Sequence, residues 1–370
     1  MKTHEIPTPA LVVDLDKMRA NIDEMARRAK AASIDLRPHI KTHKTPAIAH
    51  MQLRAGAVGI VCAKLGEAEV MAAAGIDDIW ICYPIVGAEK IGRLLNLARW
   101  VPKICTTVDT PQAARALSDA AVAAEQQRID VIVEVDVGYK RTGIEPGDRL
   151  LSFVKEIVGS MPGLRYKGLM YIAGGIIEQM EPDGQLAVEQ QAADIVTEGA
   201  ALLCEHGIDT GVISGGTTPG AQYMGELDGV TEYRVGCYVF GDMKYADLGA
   251  LTRDQIALTI HTTVVSVPSV SAPGHFVVDA GSKMLTHSGA LNTPGYGTLV
   301  EYPSLSVDVA SEEHGAVTIP VGLDPPRIGN RLSIYPNYVS DVVNLADKLW
   351  VVQGDDVVAV WDILARGKTV

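Results

Sequence analysis

The sequence predicts an α/β protein: a (β/α)8 TIM barrel over residues 14–250 and an all-β domain built from 1–13 plus 251–370. Three observations predict it. Short apolar runs alternate with Ala-rich amphipathic stretches over the first two thirds of the chain. Eight such runs follow one another near positions 34, 58, 79, 104, 131, 167, 211 and 232, the number a closed barrel needs. After about residue 250 helical periodicity is absent, and short β-rich runs are separated by Pro and Gly. An open doubly wound sheet competes with the barrel, but it usually has fewer strands. No Gly-rich nucleotide fingerprint follows the run at 34–40, where Pro38 and Lys41 stand instead.

Each element has its own reason. After a strand at 10–13, Leu15, Met18, Ile22 and Met25 recur at helical spacing. Strands at 34–40, 58–62, 79–83 and 104–108 are separated by helices near 66–74 and 89–98. Pro111 suits the first position of a helix over 111–127, with Thr110 placed to cap it. The run 131–135 is almost unbroken Val and Ile, as a parallel strand covered on both faces requires. A helix at 151–158, a strand at 166–171, a long helix at 185–205 and strands at 210–214 and 231–239 complete the alternation. Strands near 256–267, 276–279, 298–303, 306–311, 332–336, 348–353 and 357–362 make up the second domain. Residues 8–13 could pair with that domain rather than with the barrel.

Composition narrows the function classes. The chain has 370 residues, 47% of them hydrophobic and 21% charged, with a formal net charge of −13. That field disfavours nonspecific nucleic-acid binding and anionic lipid, while leaving room for a locally basic pocket. No apolar run is long enough to cross a bilayer, and residues 1–9 lack the apolar core of a signal peptide. Five widely spaced cysteines, Cys62, Cys82, Cys105, Cys204 and Cys237, argue against a disulfide framework and for a cytoplasmic location.

Chemistry concentrates at strand ends. Residues 37–45 hold Arg37, His39, Lys41, His43 and Lys44 just past the first barrel strand, where barrels carry their active sites. A lysine enclosed there could act as a Schiff-base amine; a solvated loop is the plainer reading. Ser214, Gly215, Gly216 and Thr217 end the seventh strand, and Gly236, Cys237 and Tyr238 the eighth. Glycines and hydroxyls there could offer N–H groups to a phosphate, although turns use such pairs constantly.

These stretches resemble one family along nearly the whole chain: the fold-type III pyridoxal-phosphate enzymes, in the branch of D-threonine aldolase and D-serine dehydratase. The opening at 8–16 is similar to that family's start, and 37–44 matches its most specific motif. The resemblance assigns Lys41 the covalent link to pyridoxal 5'-phosphate. It places Arg141, within 136–143, near the cofactor, and makes 214–217 and 236–240 the phosphate loops. Residues 279–283 resemble the opening of the family's β-domain motif. Tyr171 ends the sixth strand and either faces the ring or packs. His39 and His43 either shuttle protons or are structural. The implied assembly is a homodimer with active sites at the interface.

One departure is informative. Metal-dependent members carry a histidine and, two residues on, a cysteine or aspartate after a Pro-Asn-like pair. Here Pro336-Asn337 is followed by Tyr338 and Ser340, with Asp341 one place off. Neutral hydroxyls are poor ligands for zinc or manganese, so the usual metal site is expected to be absent. Tyr338 either contacts substrate or fills the space. The expected function is a lyase cleaving a D-configured β-hydroxy amino acid by retro-aldol reaction without that metal. The alternatives are a D-serine dehydratase-like ammonia lyase, an amino-acid racemase, and a non-catalytic pyridoxal-phosphate-binding protein.

Overall fold

The computed structural model describes residues 1–125, 128–268, 274–289, 291–292 and 294–370. The chain divides into two compact units. One contains residues 24–41, 46–236 and 367–370; the other contains 1–23, 42–45 and 237–366. Strand β1 (Ala10–Asp14) precedes eight strands of the first of these: β2 (Asp35–Leu36), β3 (Ile60–Cys62), β4 (Asp78–Pro84), β5 (Lys103–Val108), β6 (Ile129–Glu134), β7 (Leu164–Met170), β8 (Val212–Gly215) and β9 (Glu232–Tyr233). The other unit adds β10 (Leu258–Ser266), β11 (His275–Val278), β12 (Gly297–Leu299), β13 (Val309–Ala310), β14 (Gly315–Thr318), β15 (Arg331–Pro336), β16 (Lys348–Gln353) and β17 (Asp356–Asp362).

Strands β2 to β9 form one sheet in the order β2-β9-β8-β7-β6-β5-β4-β3, and every pairing is parallel. The eight strands expected from the apolar runs are all present. Strand β3 and the last four residues of β6 are buried on both faces, because helices lie between successive strands. Parallel pairing puts all eight C-terminal ends on one edge. Two ends of the expected strands are trimmed. The run 34–40 keeps only β2, because Pro38 has no N–H for a ladder and Ile40–Thr42 turns into a 3-10 helix. Likewise 231–239 keeps only β9 before the 3-10 turn Cys237–Val239. Backbone bonds nevertheless continue past both: Arg37 N–H donates to Tyr233 O, His39 N–H to Val235 O, and Val61 N–H to Pro38 O.

The long helix runs Pro182–Glu205, starting on a proline that needs no N–H partner there. Helix Pro111–Ala123 also starts on proline; Thr110 sits at its N-cap without a side-chain cap bond. The expected end of that helix at Gln127 lies outside the described residues.

In the other unit β1 pairs antiparallel with β10 and parallel with β16. The opening segment therefore belongs to this sheet, whose main path is β13-β14-β11-β10-β1-β16-β17, with β15 joining β10 to β12. Thr8 and Thr262 donate to Asp279, which also accepts Thr263 N–H, so three segments meet on one carboxylate. The expectation of an all-β domain is corrected by helix Val339–Leu345. At seven residues it is too short to show a 3.6-residue period, and its apolar Val339, Val342 and Val343 are compatible with strand as well. Strand β14 was not anticipated either. No helix among the described residues is long and apolar enough to cross a membrane.

Candidate active site

In the parallel-sheet unit, Lys41 follows β2 in the 3-10 turn Ile40–Thr42, exposed at the edge where the strands end. Its Nζ has no hydrogen-bond or ion-pair partner among the described residues. Its N–H points to His39 Nδ1 at 3.4 Å. His39 is half-buried, and its backbone bridges to Val61.

At the end of β6, Glu134 is buried, accepts from Thr142 Oγ1 at 2.8 Å, and lies 4.0 Å from the exposed Arg141 guanidinium. Burial pushes its carboxyl above the usual range. The intervening loop is organised by Asp136, whose carboxylate accepts Gly138 and Lys140 N–H. Gly143 has φ of +112°, and a Cβ there would meet Asp136 N at 2.6 Å, so this turn requires glycine. Arg141 is thus held on a shaped loop with its head in solvent.

The end of β8 is tightly packed. Gly215 and Gly216 pass so close to neighbours that side chains are excluded. A Cβ on Gly215 would meet the Tyr171 hydroxyl at 2.7 Å, and one on Gly216 the Arg234 carbonyl at 2.2 Å. The N–H groups of Gly216, Thr217 and Thr218 have no protein acceptor among the described residues. Successive unpaired N–H groups at a strand end are an anion cradle. Ser214 is different: its hydroxyl is buried, donates to Glu232 Oε1 at 2.9 Å and accepts from Arg234 Nε at 3.0 Å. The next loop crosses from one unit to the other, between Gly236 and Cys237.

Three residues here were not anticipated from sequence. Arg234 is buried, donates to the carbonyls of Tyr171 and Ser214, and lies 5.1 Å from the Trp80 ring centre. Glu232 is buried against Arg37. Glu189 accepts from Tyr233 and Tyr171. Tyr171 itself is fully buried with its hydroxyl turned to Glu189. A single charged residue carries no local signal of partners that lie 18 to 195 positions away.

A separate cavity of about 190 Å³ is lined by Arg37, Asp78, Lys103, Asp130 and Glu232, near strand starts. Its charges satisfy one another, Arg37 with Asp78 and Glu232 and Lys103 with Asp78, so it reads as a structural ion network.

In the other unit Thr42, Cys237 and Ser340 form a cluster. Thr42 Oγ1 lies 3.1 Å from Ser340 Oγ, and Cys237 Sγ lies 3.4 Å from it. Tyr338 caps helix Val339–Leu345, its ring 6.4 Å from Tyr245 and 5.1 Å from Lys244 Nζ. Neighbouring Cys237 and burial both push the Tyr338 hydroxyl up, so it stays protonated. His43 is fully buried, its Nδ1 accepting Thr45 N–H at 3.1 Å, which fixes the ring in a turn. Tyr238 is buried. Asp341 lies in the first turn of helix Val339–Leu345. Among the described residues no three His, Cys, Asp or Glu side chains come together to hold a metal. The hydroxyls of Thr42, Tyr338 and Ser340 do not fit one.

The donor set of the parallel-sheet unit fits pyridoxal phosphate: a free exposed amine at Lys41 for its aldehyde and unpaired N–H groups for its phosphate. Comparison with known proteins agrees. Residues 13–244 match the alanine racemase N-terminal domain family, and residues 257–352 match a putative serine dehydratase domain. D-threonine aldolase from Arthrobacter sp is 37% identical, over 98% of this chain and 93% of the relative. D-threo-3-hydroxyaspartate dehydratase from Delftia sp. is 32% identical, over 90% of each. The crystal structure of D-threonine aldolase from Filomicrobium marinum superposes with a TM-score of 0.91 at 32% identity, over 100% of this chain and 98% of that one. The chain belongs to the fold-type III pyridoxal-phosphate enzymes with an alanine racemase-like N-terminal domain, among the relatives of D-threonine aldolase and D-threo-3-hydroxyaspartate dehydratase.

Proposed function

We propose that this enzyme cleaves a D-configured β-hydroxy amino acid by retro-aldol reaction, and does so without a divalent metal. The carrying observation is the strand edge that fits the cofactor, with the exposed Lys41 amine and the unpaired N–H groups of Gly216 and Thr217; the hydroxyls of Thr42, Tyr338 and Ser340 in the other unit support the metal-free part of the reading. Both named relatives carry D-β-hydroxy amino acids in their names, and the first, at 37% identity, is an aldolase.

Pyridoxal phosphate, when bound, supplies an electron sink for the bond broken at the α-carbon. Every other role falls to the chain. Lys41 Nζ would hold the cofactor aldehyde, exchange with the substrate amine and then take up or return a proton. N–H groups of Gly216 and Thr217, with Gly236, Cys237 and Tyr238, would receive the phosphate, while Ser214 and Arg234 brace that loop. Arg141 would orient the cofactor from its loop. Tyr171 would wall the site, and His39 would sit behind Lys41. The hydroxyls of Thr42, Tyr338 and Ser340 would accept a hydrogen bond from the substrate β-hydroxyl, whose proton would pass to the Lys41 amine. His43 supports that turn.

Several finer features belong to the same reading. The parallel sheet would close as a (β/α)8 barrel, supported by the Val58 to Leu36 and Val61 to Pro38 backbone bonds. The functional domains would be 14–250 for the cofactor and 1–13 plus 251–370 for the β-domain. The assembly would be a homodimer with active sites at the interface. A cytoplasmic location accords with five cysteines that form no disulfide among the described residues.

A dehydratase is the second reading, favoured by the Delftia relative. Product analysis separates them. With D-threonine or D-3-hydroxyaspartate and a chelator present, the aldolase gives glycine plus an aldehyde. Ammonia plus a 2-oxo acid would establish the dehydratase, and no turnover of any D-β-hydroxy amino acid would overturn both.

A further inference from the structure

Glu189 lies about a third of the way along the 24-residue helix Pro182–Glu205 and is fully buried. A carboxyl group there is costly unless it is bonded. Its partners come from three other segments. Tyr233 donates to Oε1 at 2.8 Å, Tyr171 to the same oxygen at 3.4 Å, and Thr217 Oγ1 to Oε2 at 3.4 Å. Thr217 in turn accepts Gly220 N–H at 2.9 Å. No Lys or Arg forms an ion pair with Glu189 among the described residues; Arg234, the nearest cation, is occupied by Ser214 and Tyr171. Glycine is required around the cluster. A Cβ on Gly220 would meet the Tyr233 hydroxyl, a Glu189 oxygen and Thr217 Oγ1 at 2.2, 2.4 and 2.6 Å.

We propose that Glu189 is a positioning residue of the cofactor site, gathering Thr217, Tyr171 and Tyr233 so as to set the loop 215–218 for the cofactor's phosphate. This rests on reading that loop as the phosphate site. A buried helix carboxyl with no other task is hard to account for, since an apolar residue would fill the space at less cost. Bonding to Thr217 ties it to the cradle.

The charge state of Glu189 gives the idea a signature. Burial raises its carboxyl to about 7, against the three hydroxyls and Arg234, which favour ionisation. The groups facing it are the neutral phenols Tyr171 and Tyr233, the Thr217 hydroxyl and the Arg234 guanidinium; Asp194, further along its own helix, acts on Tyr171. Once ionised, Glu189 sets a negative charge behind a loop that receives a phosphate. Like charges then disfavour binding. Phosphate is therefore held tighter by the protonated form, and affinity falls as pH rises through 7.

The test uses full-length protein stripped of cofactor and titrated with pyridoxal phosphate, and separately with pyridoxal, from pH 6 to 8.5. Binding is read from the absorbance of bound cofactor. Between those limits the wild-type Kd for pyridoxal phosphate should rise roughly tenfold more than that of Glu189→Gln, a shift of about one pKa unit. With pyridoxal, which lacks the phosphate, the two proteins should run parallel. Thr217→Val cuts the link without touching Glu189 and should flatten the profile in the same way, which keeps the test open if Glu189→Gln folds poorly. Identical pH profiles in wild type and both variants would overturn the proposal, as would an equal effect on pyridoxal. Wild type that binds neither compound would instead sink the cofactor reading itself.

Discussion

The parallel-sheet unit and the β-unit differ in how much charge lies at the centre of their buried polar clusters. In the first, charges are buried and satisfied: Arg37 between Asp78 and Glu232, Arg234 on Ser214 and two carbonyls, Glu189 under three hydroxyls. In the second, Thr42, Ser340, Cys237 and a protonated Tyr338 gather by hydrogen bonds, with Lys244 and the carboxylates Asp242 and Asp341 as the nearby charges. The first arrangement pre-orients strand ends for an anionic ligand. The second can hold a hydroxyl by hydrogen bonds, while its nearest carboxylate, Asp242, is occupied by the N–H groups of Val339 and Tyr245. The proposed reading gives the strand-end loops, with Cys237 and Tyr238, to the cofactor and the hydroxyls of Thr42, Tyr338 and Ser340 to the substrate β-hydroxyl, and each part can be tested separately.

The largest effect should come from Lys41→Ala. It removes the free amine at the strand edge while leaving every hydrogen bond of the β-unit cluster in place. Covalently held cofactor should disappear from the absorbance spectrum. Activity should fall by at least the roughly 10²- to 10⁴-fold that a positioned proton carrier supplies. An unchanged spectrum would move the covalent role elsewhere.

Two glycines sharpen the comparison. Gly216→Ala drives a methyl into the Arg234 carbonyl, which is backbone and cannot move aside. It should cost about 1–3 kcal/mol in stability, as overpacking does, and weaken cofactor binding. Gly289→Ala, at φ of +78° and 2.8 Å from Tyr338 Cβ, displaces Tyr338 instead. It should leave cofactor affinity unchanged and lower kcat/KM. Titrating both with cofactor checks the split; equal loss of cofactor binding would mean the two regions do not divide the work.

These residues show which parts of the protein are legible in a sequence. The strands and helices of the parallel-sheet unit read well because each repeats a periodic pattern, and the stretch 37–45 stands out because cationic residues crowd it, while the role given to Lys41 comes from the family resemblance. Glu189, Glu232 and Arg234 do not. Each is a lone polar residue in an apolar context, and its meaning comes only from partners brought close by the sheet. Tyr338 and Ser340 were noticed only as departures from a family pattern, and their bonding through Thr42 and Cys237 needed coordinates. Helix Val339–Leu345 was lost because two turns of Val-rich sequence carry no decisive period.

A smaller effect tests the hydroxyl cluster. Tyr338→Phe and Ser340→Ala each remove one hydroxyl; each should lower kcat/KM about tenfold, the worth of one hydrogen bond near 1.4 kcal/mol. Chelator should not change the rate of wild type. Loss of activity with chelator, restored by a divalent cation, would show that this unit recruits a metal through other groups.

The smallest effects are on stability, and their signs differ between the two regions. Burial raises Glu189 to about 7, from an ordinary value of 4.5. Its folded-state advantage is therefore complete below pH 4.5 and is lost as pH rises through 7, an upper limit of about 3 kcal/mol. Burial, with Arg331 nearby, lowers His261 on β10 to about 4, from 6.5. Its contribution is present above pH 6.5 and is lost as pH falls through 4, with a similar limit. Asp242, in the same unit as His261, is raised to about 7 by burial and slopes like Glu189, so whole-unit melting would mix the signs. Single variants isolate them. Relative to Glu189→Gln, wild type should lose protection from hydrogen exchange at β8 between pH 4.5 and 7. Relative to His261→Gln, it should gain protection at β10 between pH 4 and 6.5. Slopes of the same sign at both strands would show that these two buried groups do not set the local pH response, and that the contrast between the units rests on hydrogen bonding alone.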